Sequence, residues 1–328
     1  MFDSSLVHSP VLRCATPADA DTLFHLIQAL ADYEKLSHEV VGSSAALAHH
    51  LSGASPYVEA LLAEQDGIVG FALFFTNYSS FSMQAGIYLE DLFVFPAYRR
   101  HGIGKALLSA LARLAIERGD GRLQWSVLDW NEPAIGFYRH IGATILENTR
   151  VCRVVGDALH QIAANQTSAL RAAIPADVPA LYALARANAE FDGSLADYTG
   201  TPEQLGQSLF ADTPCVKALV AEVEGTIAGF ALYLSNYSTF LTKPGLYVED
   251  LFVLSEYRGK GLGKALLGGL AQEVIDRDFG RLEWCVRLWN QAAIEFYQRQ
   301  GAVILPDWRI CMLSGAALTQ FADSRTAG

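Results

Sequence analysis

The amino-acid sequence predicts an α+β protein made of two tandem modules, each with a central mixed, mostly antiparallel sheet flanked by helices. The 328 residues suit two domains of about 150 residues better than one. Apolar residues make up 51% of the chain and charged residues 18%, which is enough apolar material for buried cores. The chain also repeats itself over nearly its whole length, so both modules are expected to share one fold.

The internal repeat is clearest in two segments. Residues 77–81, Asn-Tyr-Ser-Ser-Phe, return as Asn-Tyr-Ser-Thr-Phe at 236–240, and Tyr-Leu-Glu-Asp-Leu-Phe-Val at 88–94 returns as Tyr-Val-Glu-Asp-Leu-Phe-Val at 247–253. A repeat this long indicates a duplicated domain, because stacked solenoid repeats are only about 20–50 residues long. We therefore predict modules at residues 1–166 and 167–328, joined by a polar linker at 164–168.

Each module is predicted to contain the same elements, described here for the first copy. Leu23, Leu26, Ile27 and Leu30 fall at helical spacing, so they predict an amphipathic helix after a short first strand. Hydrophobic runs, turn residues and glycines predict the remaining elements. In order, these are a strand at 11–14, the helix, a hairpin of 58–63 with 68–75, a strand at 87–95, a helix at 105–118, a strand at 123–128, a short helix at 133–140, and a final strand pair ending near residue 155.

Composition and charge narrow the classes of function. The net charge of −11 argues against a nucleic-acid partner and favours a cationic small molecule. The N-terminus lacks a signal-peptide pattern, and no apolar run approaches the roughly 18 residues that span a bilayer. We therefore expect a soluble, cytoplasmic protein without a membrane partner, and self-association into a homo-oligomer stays open. The five cysteines occur singly, so no metal site is expected.

A glycine-containing turn between a strand and a helix is the first candidate ligand site. It comprises Arg99, Arg100, His101, Gly102, Ile103, Gly104 and Lys105 in the first copy, and Arg258, Gly259, Lys260, Gly261, Leu262, Gly263 and Lys264 in the second. Glycines let the backbone approach a ligand closely, and free amides at a helix start favour a pyrophosphate. The alternative is a turn without a ligand. The spacing fits neither a P-loop nor a Rossmann fingerprint.

An acidic pair inside an apolar strand is the second candidate. Glu90-Asp91 recurs as Glu249-Asp250, flanked by Leu, Phe and Val. Isolated buried charge is costly, so these carboxylates must face a wet cleft or be paired. A salt bridge at the strand edge is the structural alternative. Since the pair shortly precedes the glycine turn, a carboxylate here could instead accept a proton from an attacking amine.

The third candidate is a loop and short helix that carry Asn131 and Tyr138, repeated as Asn290 and Tyr297. A phenol suits a general acid toward a leaving thiolate, although a core aromatic is the alternative for the tyrosine. The asparagine could bind a cofactor or simply cap the helix.

Together these segments resemble the GNAT superfamily of N-acetyltransferases, twice over nearly the whole chain. The Leu-Glu-Asp strand and the Trp-Asn and Phe-Tyr pairs are similar to the diamine and thialysine acetyltransferases. The resemblance implies acetyl-CoA as cosubstrate, with Glu90 and Glu249 as general bases acting through water and Tyr138 and Tyr297 as general acids. The implied cofactor-binding residues are the two glycine turns, Asn131 and Asn290, and the strand backbone of Leu92, Phe93 and Val94 with Leu251, Phe252 and Val253.

The resemblance also implies a small amine as acceptor, with direct transfer in a ternary complex. The implied substrate-binding residues are Tyr33, Glu34, Asp91 and Glu147 in the first copy, and Phe191, Asp192 and Asp250 in the second. The sequence departs from the family pattern at Arg100, where a glycine is usual, and at Phe191, which loses the phenol of Tyr33. Two alternatives stay open: an aminoglycoside or protein amine as acceptor, and decay of one copy into a CoA-binding structural or regulatory module.

Overall fold

The computed structural model describes residues 10–165, 167 and 169–324 of the chain. It contains two seven-stranded mixed sheets flanked by helices, so the predicted fold class is confirmed. The first half contains β1 Val11–Cys14, α1 Ala20–Glu34, α2 Ser44–His50, β2 Glu59–Glu64, β3 Ile68–Ser79, β4 Gln84–Val94, α3 Ile103–Arg118, β5 Arg122–Leu128, α4 Glu132–His140, β6 Thr144–Leu146, β7 Thr149–Val154 and α5 Asp157–Ala163. The second half contains β8 Leu170–Ala172, α6 Val178–Phe191, α7 Pro202–Phe210, β9 Lys217–Val223, β10 Thr226–Ser238, β11 Lys243–Val253, α8 Leu262–Asp276, β12 Leu282–Arg287, α9 Gln291–Arg299, β13 Val303–Leu305, β14 Trp308–Ser314 and α10 Gly315–Asp323.

Local sequence explains where the main helices begin and end. The predicted apolar stripe of α1 is buried, and the helix ends at Lys35, which adopts a left-handed conformation at φ 63°. Helix α3 begins after Gly102 at φ 77° and ends at Gly119 at φ 75°, conformations that favour glycine. The short helices α2 and α5 were not predicted, because their apolar stripes are too brief to stand out from the surrounding sequence.

The last strand of each half lies in the sheet of the other half. The first sheet has the order β1-β2-β3-β4-β5-β14-β6, and the second has the order β13-β7-β12-β11-β10-β9-β8. Strand β14 pairs antiparallel with β5 from Trp308 opposite Leu128 to Ser314 opposite Arg122. Strand β7 pairs in the same way with β12, with Thr149 opposite Arg287.

The hydrophobic cores follow the same exchange. In the first core, Cys311 and Leu313 of β14 and Phe321 of α10 pack with the side chains of β4, β5 and α3. In the second core, Cys152 of β7 and Ile162 of α5 pack with the side chains of β11, β12 and α8. Each hydrophobic core therefore contains elements from both halves of the chain.

The β3–β4 and β10–β11 hairpins, which carry the repeated Asn-Tyr-Ser segment, also cross between the halves. Tyr78 is fully buried among residues of α6 and α7, and Tyr237 is fully buried among residues of α1 and α2. The carbonyl oxygen of Phe81 accepts hydrogen bonds from the amides of residues 199 and 200, and that of Phe240 accepts them from the amides of residues 41 and 42. The repeated segment is therefore an interlock between the two halves.

The predicted final strand pair is wrong in one respect. Strands β6 and β7 both form, but they lie in different sheets: β6 pairs with β14, and β7 pairs with β12 and β13. Strands β7 and β14 are copies of one another, so the alternation of buried residues fits either partner and cannot reveal the exchange. Residues 166 and 168 of the predicted linker lie outside the described residues.

The shared sheets predict that the protein unfolds as one cooperative unit. Leu111 in α3 and Leu270 in α8 are fully buried at equivalent positions of the two cores. A leucine-to-alanine change at such a site costs about 2–5 kcal/mol. Urea unfolding followed by tryptophan fluorescence should show one transition in Leu111→Ala and in Leu270→Ala, shifted to a similar extent. Two transitions, only one of them shifted in each variant, would show that the halves unfold independently.

Candidate active site

Two cavities contain the residues predicted for the two sites. The larger, about 1290 Å³, is lined by Glu90, Tyr138 and the first glycine turn, and we call it site 1. The smaller, about 740 Å³, is lined by Glu249, Tyr297 and the second glycine turn, and we call it site 2. Each cavity is also lined by side chains from the opposite half, because the exchanged strands and the hairpin tips border it.

A β-bulge aims the acidic pair into each cavity. On β4, Asp91 lies opposite Leu73 and Leu89 lies opposite Phe74, so Glu90 is the extra residue between them. The same shift on β11 makes Glu249 the extra residue. Successive side chains of a regular strand point to opposite faces, and a bulge breaks this alternation. Both carboxylates of each pair therefore line the cavity. The bulge gives no pattern in the sequence and was not predicted.

The central strands separate immediately after the bulge. Strand β4 pairs in parallel with β5 only from Ile87 to Leu89, although β4 continues to Val94. Strands β11 and β12 separate at the equivalent point, after Val248. On the β5 side, the backbone groups of residues 92–94 have no strand partner among the described residues, and these residues line site 1. An extended ligand with amide groups can therefore pair with this edge as an additional strand would.

The glycine turns form matching amide cradles at the start of α3 and α8. Gly102 and Gly261 precede the helices at φ 77° and 85°, and neither helix has a side-chain cap. Arg100 adopts φ 66° where Gly259 has φ 75°, so the arginine keeps the conformation of the glycine that it replaces. Free amides and the helix dipole together suit a pyrophosphate. This cradle and the unpaired strand edge fit the phosphate and pantetheine parts of acetyl-CoA.

An arginine of the opposite half contacts each predicted base. The Nη2 atom of Arg281 donates a hydrogen bond of 3.1 Å to Glu90 Oε1. The Nη2 atom of Arg122 lies 3.5 Å from Glu249 Oε2, and the Ser80 amide donates to Glu249 Oε1 at 3.2 Å. Burial raises the pKa of Glu90, and Arg281 opposes part of that shift. The carboxylate is therefore a stronger base than an exposed glutamate but stays paired.

The two arginines have different second partners. Arg281 is also paired with the buried carboxylate of Glu283 at 2.8 Å, and Arg153 donates to that carboxylate at 2.6 Å. In the opposite site, Gln124 and Met312 occupy the positions equivalent to Glu283 and Arg153, and Gln124 accepts a hydrogen bond from Asn77 at 3.0 Å. One negative and one positive charge are replaced together, so the net charge of the two networks is the same.

Further carboxylates make both cavities acidic. Burial, with repulsion from Glu90 and Glu39, raises the pKa of Glu34 to about 7. Burial and then repulsion from Glu90 and Glu34 raise the pKa of Asp91 well above its ordinary value. In site 2, burial and repulsion from Glu249 raise the pKa of Asp250 to about 7. Carboxylates held together in this way gain stabilisation when a cation binds between them.

The predicted acids lie on α4 and α9 beside a tryptophan. The Tyr138 ring packs against Trp125 at 4.9 Å, and Tyr297 packs against Trp284 at the same distance. Burial raises the pKa of both phenols, so both stay protonated at neutral pH. Both side chains line their cavities, and each can donate a proton or a hydrogen bond there.

Most of the predicted site residues line the two cavities, including Tyr33, Phe191 and Asp192. Glu147 does not: its side chain is 60% exposed and pairs with Arg139 on the surface. His101 and Lys260 of the glycine turns also lie outside the cavity linings. Asn131 and Asn290 cap α4 and α9, as one interpretation of the sequence predicted, and they line the cavities as well.

Several lining residues were missed because they come from the opposite half. They are Ser80, Arg122 and Thr149 in site 2, and Thr239, Arg281 and Trp308 in site 1. The signal available in the sequence was the recurrence of the Asn-Tyr-Ser segment, whose tyrosine the structure buries in the opposite half. The sequence alone does not indicate which elements this segment packs against, because that depends on how the two halves are arranged.

Neither a metal centre nor a membrane span is found in the part of the chain that the structure describes. No three or more histidine, cysteine, aspartate or glutamate side chains in residues 10–165, 167 and 169–324 are arranged to hold a metal ion. Among the same residues, no helix is long and apolar enough to cross a membrane.

A splayed central sheet, an amide cradle at a helix start and an acidic cavity define an acyltransferase-type site in each half. The acetyltransferase (GNAT) family model matches residues 25–143 and again residues 180–302. The chain therefore belongs to the GNAT family and is an N-acetyltransferase.

Relatives with curated functions support this assignment. An L-ornithine N5-acetyltransferase of Arabidopsis thaliana is 33% identical, over 46% of this chain and 86% of that protein. A thialysine N-epsilon-acetyltransferase of Bos taurus is 35% identical, over 47% of this chain and 96% of that protein.

Two solved structures align with nearly the whole chain. A tandem GNAT protein from the clavulanic acid biosynthesis pathway aligns with a TM-score of 0.51 at 16% identity, covering 93% of this chain and 98% of the other. A GCN5-related N-acetyltransferase from Sphaerobacter thermophilus aligns with a TM-score of 0.54 at 17% identity, covering 94% and 97%. At these identities, the comparisons show the fold alone.

The raised pKa of Glu34 predicts a pH-dependent effect on stability. A carboxyl whose pKa is about 7 in the folded state and 4.5 ordinarily stabilises the fold below pH 4.5, and this contribution is lost as the pH rises through 7. Glu34→Gln should therefore be more stable relative to wild type at pH 8 than at pH 5, by at most about 3 kcal/mol. Urea unfolding at both pH values measures this difference. The exposed Glu147→Gln is the control, and an equal effect of Glu34→Gln at both pH values would contradict the prediction.

Proposed function

We propose that each half of the chain transfers an acetyl group from acetyl-CoA to a small cationic amine, with both ligands bound together. The observation that carries this proposal is that one cavity in each half joins an amide cradle, a bulged glutamate and a buried tyrosine. The duplicated units are proposed to be residues 1–166 and 167–328.

Acetyl-CoA would supply an activated acetyl thioester. The amides after Gly102 and Gly261 would hold its phosphates, because free helix-start amides and positive φ values suit close contact with an anion. Arg99 and Arg258 support these turns, since the Nε atom of each donates at 2.9 Å to the carbonyl oxygen of Val94 or Val253. The unpaired strand edge after each bulge would hold the pantetheine arm.

Glu90 and Glu249 would accept the proton of the amine, directly or through water. A general base works best when its pKa lies near the operating pH, and the raised pKa of Glu90 moves it in that direction. Tyr138 and Tyr297 would stay protonated and donate to the departing thiolate. Backbone amides at the bulge would stabilise negative charge on the acetyl oxygen.

The acceptor is proposed to be cationic because carboxylates border both cavities. Glu34, Glu90 and Asp91 lie in site 1, and Asp192, Glu249 and Asp250 lie in site 2. The names of the curated relatives point the same way, since ornithine and thialysine both carry a side-chain amine.

Both halves are expected to bind acetyl-CoA, because both keep the same cradle conformation. Isothermal titration should give close to two sites per chain. Gly261→Glu should reduce this number to one, because the change adds strain at φ 85° and places a negative charge where the phosphates bind. Gly102→Glu is the matched variant in the first half. A single site that Gly261→Glu leaves unchanged would instead assign the second half to a structural role.

Removal of the two phenol oxygens tests the proposed chemistry. General acid catalysis contributes roughly 10²- to 10⁴-fold, so the double variant Tyr138→Phe, Tyr297→Phe should lose at least about 10²-fold in kcat. With equally active sites, either single variant should lose about half the activity. Phenylalanine keeps the ring contacts with Trp125 and Trp284, so melting temperature and acetyl-CoA binding should change little. Near-normal turnover in the double variant would exclude the tyrosines from the mechanism.

A further inference from the structure

The two sites differ at one pair of equivalent positions on the exchanged strands. In site 1, Leu128 at the end of β5 lies opposite Trp308 at the start of β14. In site 2, Arg287 at the end of β12 lies opposite Thr149 at the start of β7. All four residues line their cavities, so an apolar pair in one site is replaced by a polar, cationic pair in the other.

Arg287 is held in position but has no carboxylate partner. Its Nη1 atom donates to the Thr149 hydroxyl at 3.2 Å, and within the described part of the chain no carboxylate oxygen lies within ion-pair distance of it. The side chain is half-buried at the wall of site 2. A guanidinium carries several N–H donors in a planar fork, so one hydrogen bond leaves others free. This fork matches the geometry of a carboxylate.

The charged residues that line the two cavities also differ, and site 1 is the more acidic of the two. Site 1 is lined by the carboxylates Glu34, Glu39, Glu90, Asp91, Glu283 and Asp307 and, beyond its glycine turn, by the paired arginines Arg153 and Arg281. Site 2 is lined by the carboxylates Asp192, Glu249 and Asp250 and, beyond its glycine turn, by Arg122 and the unpaired Arg287. Site 1 is also larger, about 1290 Å³ against 740 Å³. A longer polycation therefore suits site 1, and an amine with one anionic group suits site 2.

We propose that Arg287 makes site 2 selective for amines that carry a carboxylate, of the diamino-acid class, whereas site 1 takes diamines or polyamines without one. This assignment rests on the proposed acetyl transfer. The acceptor amine would lie among Asp192, Glu249 and Asp250, and its carboxylate would pair with Arg287 and Thr149. In site 1, Leu128 and Trp308 offer an apolar wall for the methylene chain of a diamine, and a carboxylate there would lose its hydration without gaining a partner.

Lysine and cadaverine are a matched pair of probes, because they differ only by the carboxylate. Site 2 is isolated with Gly102→Glu, and site 1 is isolated with Gly261→Glu. We expect the ratio of kcat/KM for lysine to that for cadaverine to be at least about tenfold higher in the first variant than in the second, since a charged hydrogen-bonded pair supplies that much.

Replacement of Arg287 by the residue type of site 1 is the sharper experiment. In the Gly102→Glu protein, Arg287→Leu should lower kcat/KM for lysine at least about tenfold and leave cadaverine within about twofold. Arg287→Lys should keep part of the preference, because it retains the charge without the fork. Leu128→Arg with Trp308→Thr in the Gly261→Glu protein should raise the preference of site 1 for lysine.

Two results would overturn the proposal. The first is an equal lysine-to-cadaverine ratio in the two isolated sites. The second is an equal loss for both amines in Arg287→Leu, which would mean that Arg287 acts by keeping Asp192 charged, since its positive charge opposes the raised pKa of that residue.

Binding of both amines to the same variants, measured by calorimetry, tests the carboxylate site independently of acetyl transfer. If neither isolated site acetylates any amine, the acetyl-transfer proposal fails. The carboxylate site is then still tested by lysine binding, compared between the Gly102→Glu protein and the same protein with Arg287→Leu added.

Discussion

The pairing of β14 with β5, and of β7 with β12, is the interaction on which the rest of the structure depends. Each pairing spans the length of both strands, so each seven-stranded sheet contains a full-length strand from the opposite half. On the far side of β5, the first sheet continues with a strand whose Cys311 and Leu313 are buried in the first core. This strand, β14, comes from the other half.

The close contact of the two halves also places an arginine beside each bulged glutamate. Arg281 lies immediately before β12 and Arg122 at the start of β5, and each reaches the bulged glutamate of the opposite half. Keeping a buried carboxylate ionised without such a partner would be costly. Each bulged glutamate is therefore paired with an arginine of the half that does not carry it, and neither half alone contains both members of the pair.

Much of the architecture can be predicted from the sequence because its signals are local. The glycine turns need positive φ values, and the α1 stripe follows helical periodicity, so both are visible in a single copy. The acidic pair indicates a cavity or a charged partner, because isolated charge within an apolar strand is costly to bury. The bulge at Glu90 has no local signal, since a regular strand has the same composition. The strand exchange cannot be predicted for a different reason. Strands β7 and β14 are equivalent copies, so either could pair with β5 or with β12, and only the three-dimensional structure shows which pairing forms.

Covalent linkage changes the physical chemistry of the interlocked sheets. If two separate chains exchanged these strands, the assembly would follow mass action and would dissociate on dilution. In a single chain, the second strand arrives at a high effective concentration set by the short connection between the halves. Linkage also removes the symmetry that two identical chains would impose. One site can therefore carry Glu283 with Arg153 while the other carries Gln124 with Met312, an asymmetry that no pair of identical subunits could hold.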